Sequence, residues 1–152
     1  MRTIVVGVDG STNAERALRW AAARSRESGA EVLAVFVLTS DHDFATHRSA
    51  TGATSEREAL LSDLNGEWTE PARRDGATVR TAVVEADIAA IGILSAAQDH
   101  EADLIVLGTH GRGHLANWLL GATTYKVSHR AAVPVVVVPP QWNPSHEREP
   151  QP

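Results

Sequence analysis

Thr3-Ile4-Val5-Val6-Gly7-Val8-Asp9-Gly10-Ser11 is the stretch on which the fold turns. Its apolar part, Thr3 to Val8, is β-branched and nearly continuous. That is the pattern of a strand covered on both faces, not of one with a wet side. Asp9-Gly10-Ser11 stops it, and Ser11 is a good helix N-cap. Ala14, Ala17, Leu18, Ala21, Ala22 and Ser25 then follow the i, i+3, i+4, i+7 rhythm of a helix. Small residues dominate that face, so the helix can lie close to a sheet. Gly29 supplies its stop.

The same alternation continues outward from this pair. Glu31 to Leu38 reads as a second buried strand. A polar stretch from Thr39 to Ala53 has no periodicity, and loops of that length are usually functional or disordered. Residues 54–75 read as one helix with Leu60, Leu61, Leu64 and Trp68 on a face. Thr78 to Val84 is a third strand, and Asp87 is placed to cap a helix carrying Ile91, Leu94 and Ala97. Asp103 to Leu107 is a fourth strand, Gly121 to Ala131 a helix, and Val135 to Val138 a fifth strand. Strands alternating with helices predict a doubly wound α/β fold: a five-stranded parallel sheet, right-handed crossovers, helices on both faces. The expected domain spans 1–140. Residues 141–152, rich in proline, read as a polar tail outside the fold.

Composition agrees. The 152 residues suit one domain, 43% hydrophobic and 22% charged, which excludes a disordered chain. There is no cysteine, so disulfides, thiolate metal sites and cysteine nucleophiles are excluded. The formal charge of -5 argues against a dedicated nucleic-acid binder. Apolar runs of about eight residues fall well short of the ~20 that a membrane helix needs. The N-terminal apolar stretch is too short for a signal peptide. The expected location is the cytoplasm, with neither membrane nor nucleic acid as a partner.

Ligands of open parallel sheets bind beyond the carboxyl ends of the strands, where the winding direction switches. Asp9-Gly10-Ser11 follows the first strand. Gly108-Thr109-His110-Gly111-Arg112-Gly113-His114 follows the fourth, and Gly121-Ala122-Thr123-Thr124 then opens a helix. Four of the 11 glycines fall between 108 and 121. Glycines let backbone approach a ligand, and a helix start adds free N–H groups and partial positive charge. Together these suit a phosphate chain. The dinucleotide fingerprint is absent after the first strand. The Walker A loop fails as well, because His114-Leu115 replaces its Lys-Ser/Thr pair.

The remaining spacing is Gly108-x2-Gly111-x9-Gly121. With Ile4-Val5-Val6-Gly7-Val8-Asp9-Gly10-Ser11, Ala17-Leu18-Arg19-Trp20-Ala21, Ala102-Asp103-Leu104-Ile105-Val106-Leu107-Gly108 and Val133-Pro134-Val135-Val136-Val137-Val138-Pro139, the chain resembles the universal stress proteins over residues 3–139. The resemblance implies a strand order 3-2-1-4-5 and, through the glycine motif, binding of ATP with Mg2+. It implies that Asp9 lies near the ribose and metal-bridged phosphates, and that Val37 contacts adenine. Gly108 and Gly111 would pass close to ribose and phosphates. Gly121, Ala122, Thr123 and Thr124 would hold phosphates from the helix start, with Arg112 inside the loop as a further phosphate contact. It also implies a homodimer formed by pairing Val135–Val138 with its copy. One departure stands out: the family usually has Ser or Thr where this chain has Ala122. One lost neutral hydrogen bond weakens binding about tenfold without abolishing it.

Blander readings stand beside these. Asp9 also reads as a turn residue, the glycine loop as a tight turn, and Arg112 as a solvated side chain. The switch-point position favours the ligand role for Asp9, and the number of glycines exceeds what a turn requires. His110 and His114 have i, i+4 spacing, but metal ligation at that spacing requires a helix, which the glycines oppose. Asp41, His42, Asp43 and His47 read as solvated charge in a loop. Trp118 reads as a lid or interface residue. No nucleophile elbow is present, and the third and fifth strands lack the acceptor Asp and Lys of a phosphoaccepting receiver. The expected role is therefore nucleotide-dependent signalling in stress response, with at most slow hydrolysis or self-phosphorylation. The alternative is a dimeric interaction module that binds a cyclic nucleotide or none.

Overall fold

The structure is a computed structural model, which describes residues 1–39, 52–110 and 120–147. Five strands and five helices alternate almost strictly: β1 (Thr3–Gly7), α1 (Thr12–Ser28), β2 (Glu31–Leu38), α2 (Gly52–Asn65), α3 (Glu70–Arg74), β3 (Val79–Glu85), α4 (Ala89–Asp99), β4 (Leu104–Gly108), α5 (Ala122–Arg130) and β5 (Val135–Val138). A short 3-10 turn, Pro144–Glu147, follows β5. The sheet order is β3-β2-β1-β4-β5, with every pairing parallel. This is the expected doubly wound α/β fold.

Strand alternation sorts the apolar residues into two cores. Ile4 and Val6 of β1, and Val32, Ala34 and Phe36 of β2, pack with α1, Leu64 of α2 and Ala72 of α3. Val5, Leu33, Val35, Ile105 and Leu107 pack on the other side with α4 and Val127 of α5. The continuous apolar runs are thus explained: both faces of each central strand are covered.

Local chemistry sets the helix ends. The Ser11 hydroxyl accepts from the Ala14 N–H at 3.2 Å, and Gly29 closes α1 at φ 75°. The single helix expected over 54–75 is instead α2 and α3, separated by a turn at 66–69. Pro71 lies in the first turn of α3, where its missing N–H costs nothing; inside a continuous helix it would break a hydrogen bond and strike the preceding turn. Asp87 does not cap α4. The cap position is Ile88, and no side chain fills the role. The segment expected outside the fold contains a packed residue, the partly buried Trp142, which rests on the first core.

Candidate functional site

The chain passes to α1 on one face of the sheet from the carboxyl end of β1, and to α5 on the other face after the carboxyl end of β4. A cleft of about 120 Å³ opens there. Its walls differ in character. Val35 and Val37 of β2, Leu107 of β4, and Ala89 and Ile93 of α4 form an apolar slot. Asp9, Ser11, Gly108, His110, Thr123 and Thr124 form a polar end.

The slot is narrow because α4 presses on β2. A Cβ at Gly92 would meet the two Val37 methyl carbons at 2.5 and 2.6 Å. Glycine at this position therefore sets the distance between helix and strand.

The polar end is assembled by close backbone crossings. A Cβ at Gly108 would lie 2.9 Å from both the Cβ and the carbonyl oxygen of Asn13. Asn13 also donates its side-chain amide to the His110 carbonyl at 3.1 Å, tying the start of α1 to the chain after β4. A Cβ at Gly121 would meet His110 Cα at 3.1 Å. The Gly121 N–H donates to the Thr109 carbonyl at 2.7 Å. Packing alone thus demands glycine at 108 and leaves little room at 121.

The polar side chains divide into bound and available groups. Asp9 Oδ1 accepts from the Ser11 N–H at 2.9 Å, an Asx turn that holds the β1–α1 corner. Gly10 between them has φ 78°, where glycine carries no steric cost. The buried Thr124 hydroxyl donates to the Gly108 carbonyl at 2.8 Å, so its proton is committed to joining α5 to β4. Thr123 is half-buried on the cleft wall. Helix geometry leaves the N–H groups of Ala122, Thr123 and Thr124 without carbonyls one turn earlier. Among the described residues, no side chain caps α5. The helix start therefore presents donors and positive dipole at the polar end of the cleft.

Five of the sequence-derived candidates line the cleft together: Asp9, Val37, Gly108, Thr123 and Thr124. Gly121 and Ala122 immediately precede them at the start of α5, and Ala122 is exposed. Gly111 and Arg112 lie outside the described residues, as do His114, Trp118 and the Asp41–His47 cluster. Sequence reasoning missed Ala89 and Ile93. The signal for them was the start of the helix after the third strand, at the same sheet edge as the glycine loop.

A doubly wound sheet with a half-apolar, half-polar cleft at its switch point defines a class of small-ligand-binding α/β domains. The universal stress protein family model matches residues 1–139. A universal stress protein of Thermus aquaticus is 31% identical over 140 residues, covering 90% of this chain and 98% of that one. One from Mycobacterium tuberculosis is 33% identical over 136 residues, and there the alignment covers 88% of this chain but only 44% of the relative. Among solved structures, UspA from Lactobacillus plantarum superposes with a TM-score of 0.73 at 25% identity, covering 90% of this chain and 97% of that one. A universal stress protein from Archaeoglobus fulgidus in complex with dAMP superposes with a TM-score of 0.66 at 27% identity, covering 90% and 97%. The chain belongs to the universal stress protein family.

Proposed function

We propose that the cleft binds an adenine nucleotide, ATP in the lead, and that binding adjusts the surface seen by a signalling partner in a stress response. The observation that carries this reading is the division of the cleft. Its apolar slot with Val37 and Ile93 suits a flat base, while the start of α5, which shares the polar end with Asp9, suits phosphates. The dAMP complex of the Archaeoglobus fulgidus relative supports the class of ligand. Ala122 supplies only a backbone N–H, and Thr123 is the hydroxyl on the wall that takes over the side-chain contact.

Mg2+ enters this reading with the nucleotide. Among the described residues no three His, Asp or Glu side chains cluster as a metal cage. In this reading the ion is held by phosphate oxygens and one carboxylate, for which Asp9 is the candidate. No helix among the described residues is long and apolar enough to cross a membrane. The cytoplasm remains the proposed location.

The proposed assembly is a homodimer through β5. This all-valine strand is flanked by Pro134 and Pro139 and pairs with β4 on one side, at the end of the sheet order. An apolar strand edge of this kind favours pairing with a copy of itself. Sedimentation equilibrium at micromolar concentration tests it: a dimer supports the reading, and a monomer overturns it.

The nucleotide reading is tested by calorimetric titration of ATP, ADP and cAMP with and without Mg2+. Micromolar, Mg2+-dependent ATP binding is expected. Asp9→Asn retains an acceptor for the Ser11 N–H while losing the charge, so it should keep the fold and weaken Mg2+-ATP by about tenfold. Tighter cAMP binding would favour the cyclic-nucleotide alternative, and no adenine nucleotide binding would overturn the reading.

A further inference from the structure

A second cavity lies on the opposite flank of α1 from the cleft. Ser11 and Ala14 face the cleft, whereas Thr12, Glu15, Arg16 and Arg19 line the second cavity. Those four positions share one face of the helix. The far wall is Pro140 to Pro144, the segment just after β5, with Trp142 at its centre. The volume is about 330 Å³, larger than that of the nucleotide cleft and at the small end of ligand pockets, roughly 300–1,000 Å³.

We propose that this cavity binds a small aromatic carboxylate. Two half-buried guanidinium groups stand one helical turn apart on its wall. Arg16 spends Nη1 on the Asn13 side chain at 3.2 Å, and Arg19 spends Nε on Asp75 at 3.2 Å. A guanidinium carries five N–H donors, so each keeps most of its hydrogen-bonding capacity. Arg19 is paired with Asp75 and Glu15 shares the wall, so what the wall offers an anion is the set of guanidinium N–H donors that remain, not a surplus of positive charge. The planar fork of arginine matches a carboxylate.

The remaining wall explains the aromatic body. Trp142 is half-buried, rests on the first core and also lines the cavity, between Pro140 and Pro144. An indole held in place by a core offers a rigid apolar surface for offset stacking of a ring. A bare inorganic anion would leave that surface unused. The inference does not depend on the nucleotide reading, since no residue is common to the two cavities.

The test uses the whole chain, labelled with nitrogen-15, and follows the indole N–H resonance of Trp142, assigned with Trp142→Phe. Benzoate is the probe; benzyl alcohol and inorganic phosphate are the controls. A saturable shift with benzoate at millimolar concentration is expected, the range for so small a ligand. Arg16→Gln should weaken it about tenfold at an unchanged melting temperature, and Arg16→Lys should fall between. The proposal is overturned if benzoate gives no saturable shift or if Arg16→Gln binds it as well as the parent. Equal binding of benzyl alcohol would show that charge is not read, and equal binding of phosphate that the ring is not; either outcome also overturns it.

Discussion

The two edges of the sheet handle their backbone groups differently. At the amino edge the chain satisfies itself. Asp103 Oδ2 accepts from the N–H groups of Arg2 and Thr3 at 2.6 and 3.0 Å, joining β4 to β1. The Glu31 N–H reaches the Arg2 carbonyl at 2.8 Å, and the Val32 N–H reaches the Thr78 carbonyl at 2.9 Å. The carboxyl edge instead holds a cleft, a helix that no side chain among the described residues caps, and glycines squeezed against backbone. The amino edge is closed by its own hydrogen bonds, whereas the carboxyl edge is where the described residues leave a cleft.

That contrast can be broken most forcefully at Gly108. Gly108→Val drives methyl groups into the Asn13 backbone, which cannot rotate aside. A loss of about 3 kcal/mol is expected, read from the urea midpoint. A smaller loss would mean that α1 is free to shift on β4, and that the cleft is softer than its packing implies.

Ala122→Ser sharpens the comparison from the ligand side. The position is exposed, so stability should hold, while calorimetry should show ATP affinity rising by up to about tenfold as a hydroxyl joins the helix start. Ser11→Ala removes a side-chain cap at this edge that is spent on the fold itself. It should cost about 1 kcal/mol in thermal unfolding.

The smallest effect belongs to the amino edge. The backbone N–H groups of Arg2 and Thr3 hold the Asp103 carboxyl below the ordinary aspartate range. A carboxylate with a depressed folded pKa stabilises the fold above its unfolded value, and that contribution disappears as pH falls through the folded one. Asp103→Asn should therefore lower stability slightly near neutral pH and flatten the acid limb of a urea-midpoint profile. Its nucleotide titration should match the parent's. A change in nucleotide affinity would show that the two edges are coupled.

Much of the architecture was legible in the residues themselves. Continuous β-branched runs marked buried parallel strands, and Ser11 and Gly29 marked the ends of α1. The α2–α3 break was harder to see, because Leu60, Leu64 and Trp68 keep a helical rhythm across it; only Pro71 gave the warning. Asp87 failed as a cap although its type was right, because the chain turns into α4 one residue later. Among the residues lining the cleft, Asp9, Gly108, Thr123 and Thr124 were singled out by their place after the strands, and Val37 by the family resemblance. Ala89 and Ile93 were not, since small and aliphatic residues carry no chemical mark of a binding wall.

By itself, then, the order of residues determined which segments become strands and helices and which sheet edge carries the glycines, because periodicity, caps and turn chemistry act over a few neighbouring residues. Tertiary structure alone decided that Gly108 exists for the Asn13 backbone, that Thr124 spends its proton on the Gly108 carbonyl, that Gly92 brings α4 onto Val37, and that the segment around Trp142 and the Arg16–Arg19 face of α1 come together around one cavity. Each of those is a contact between segments distant in the chain. Close packing in three dimensions creates such contacts, and no local pattern encodes them.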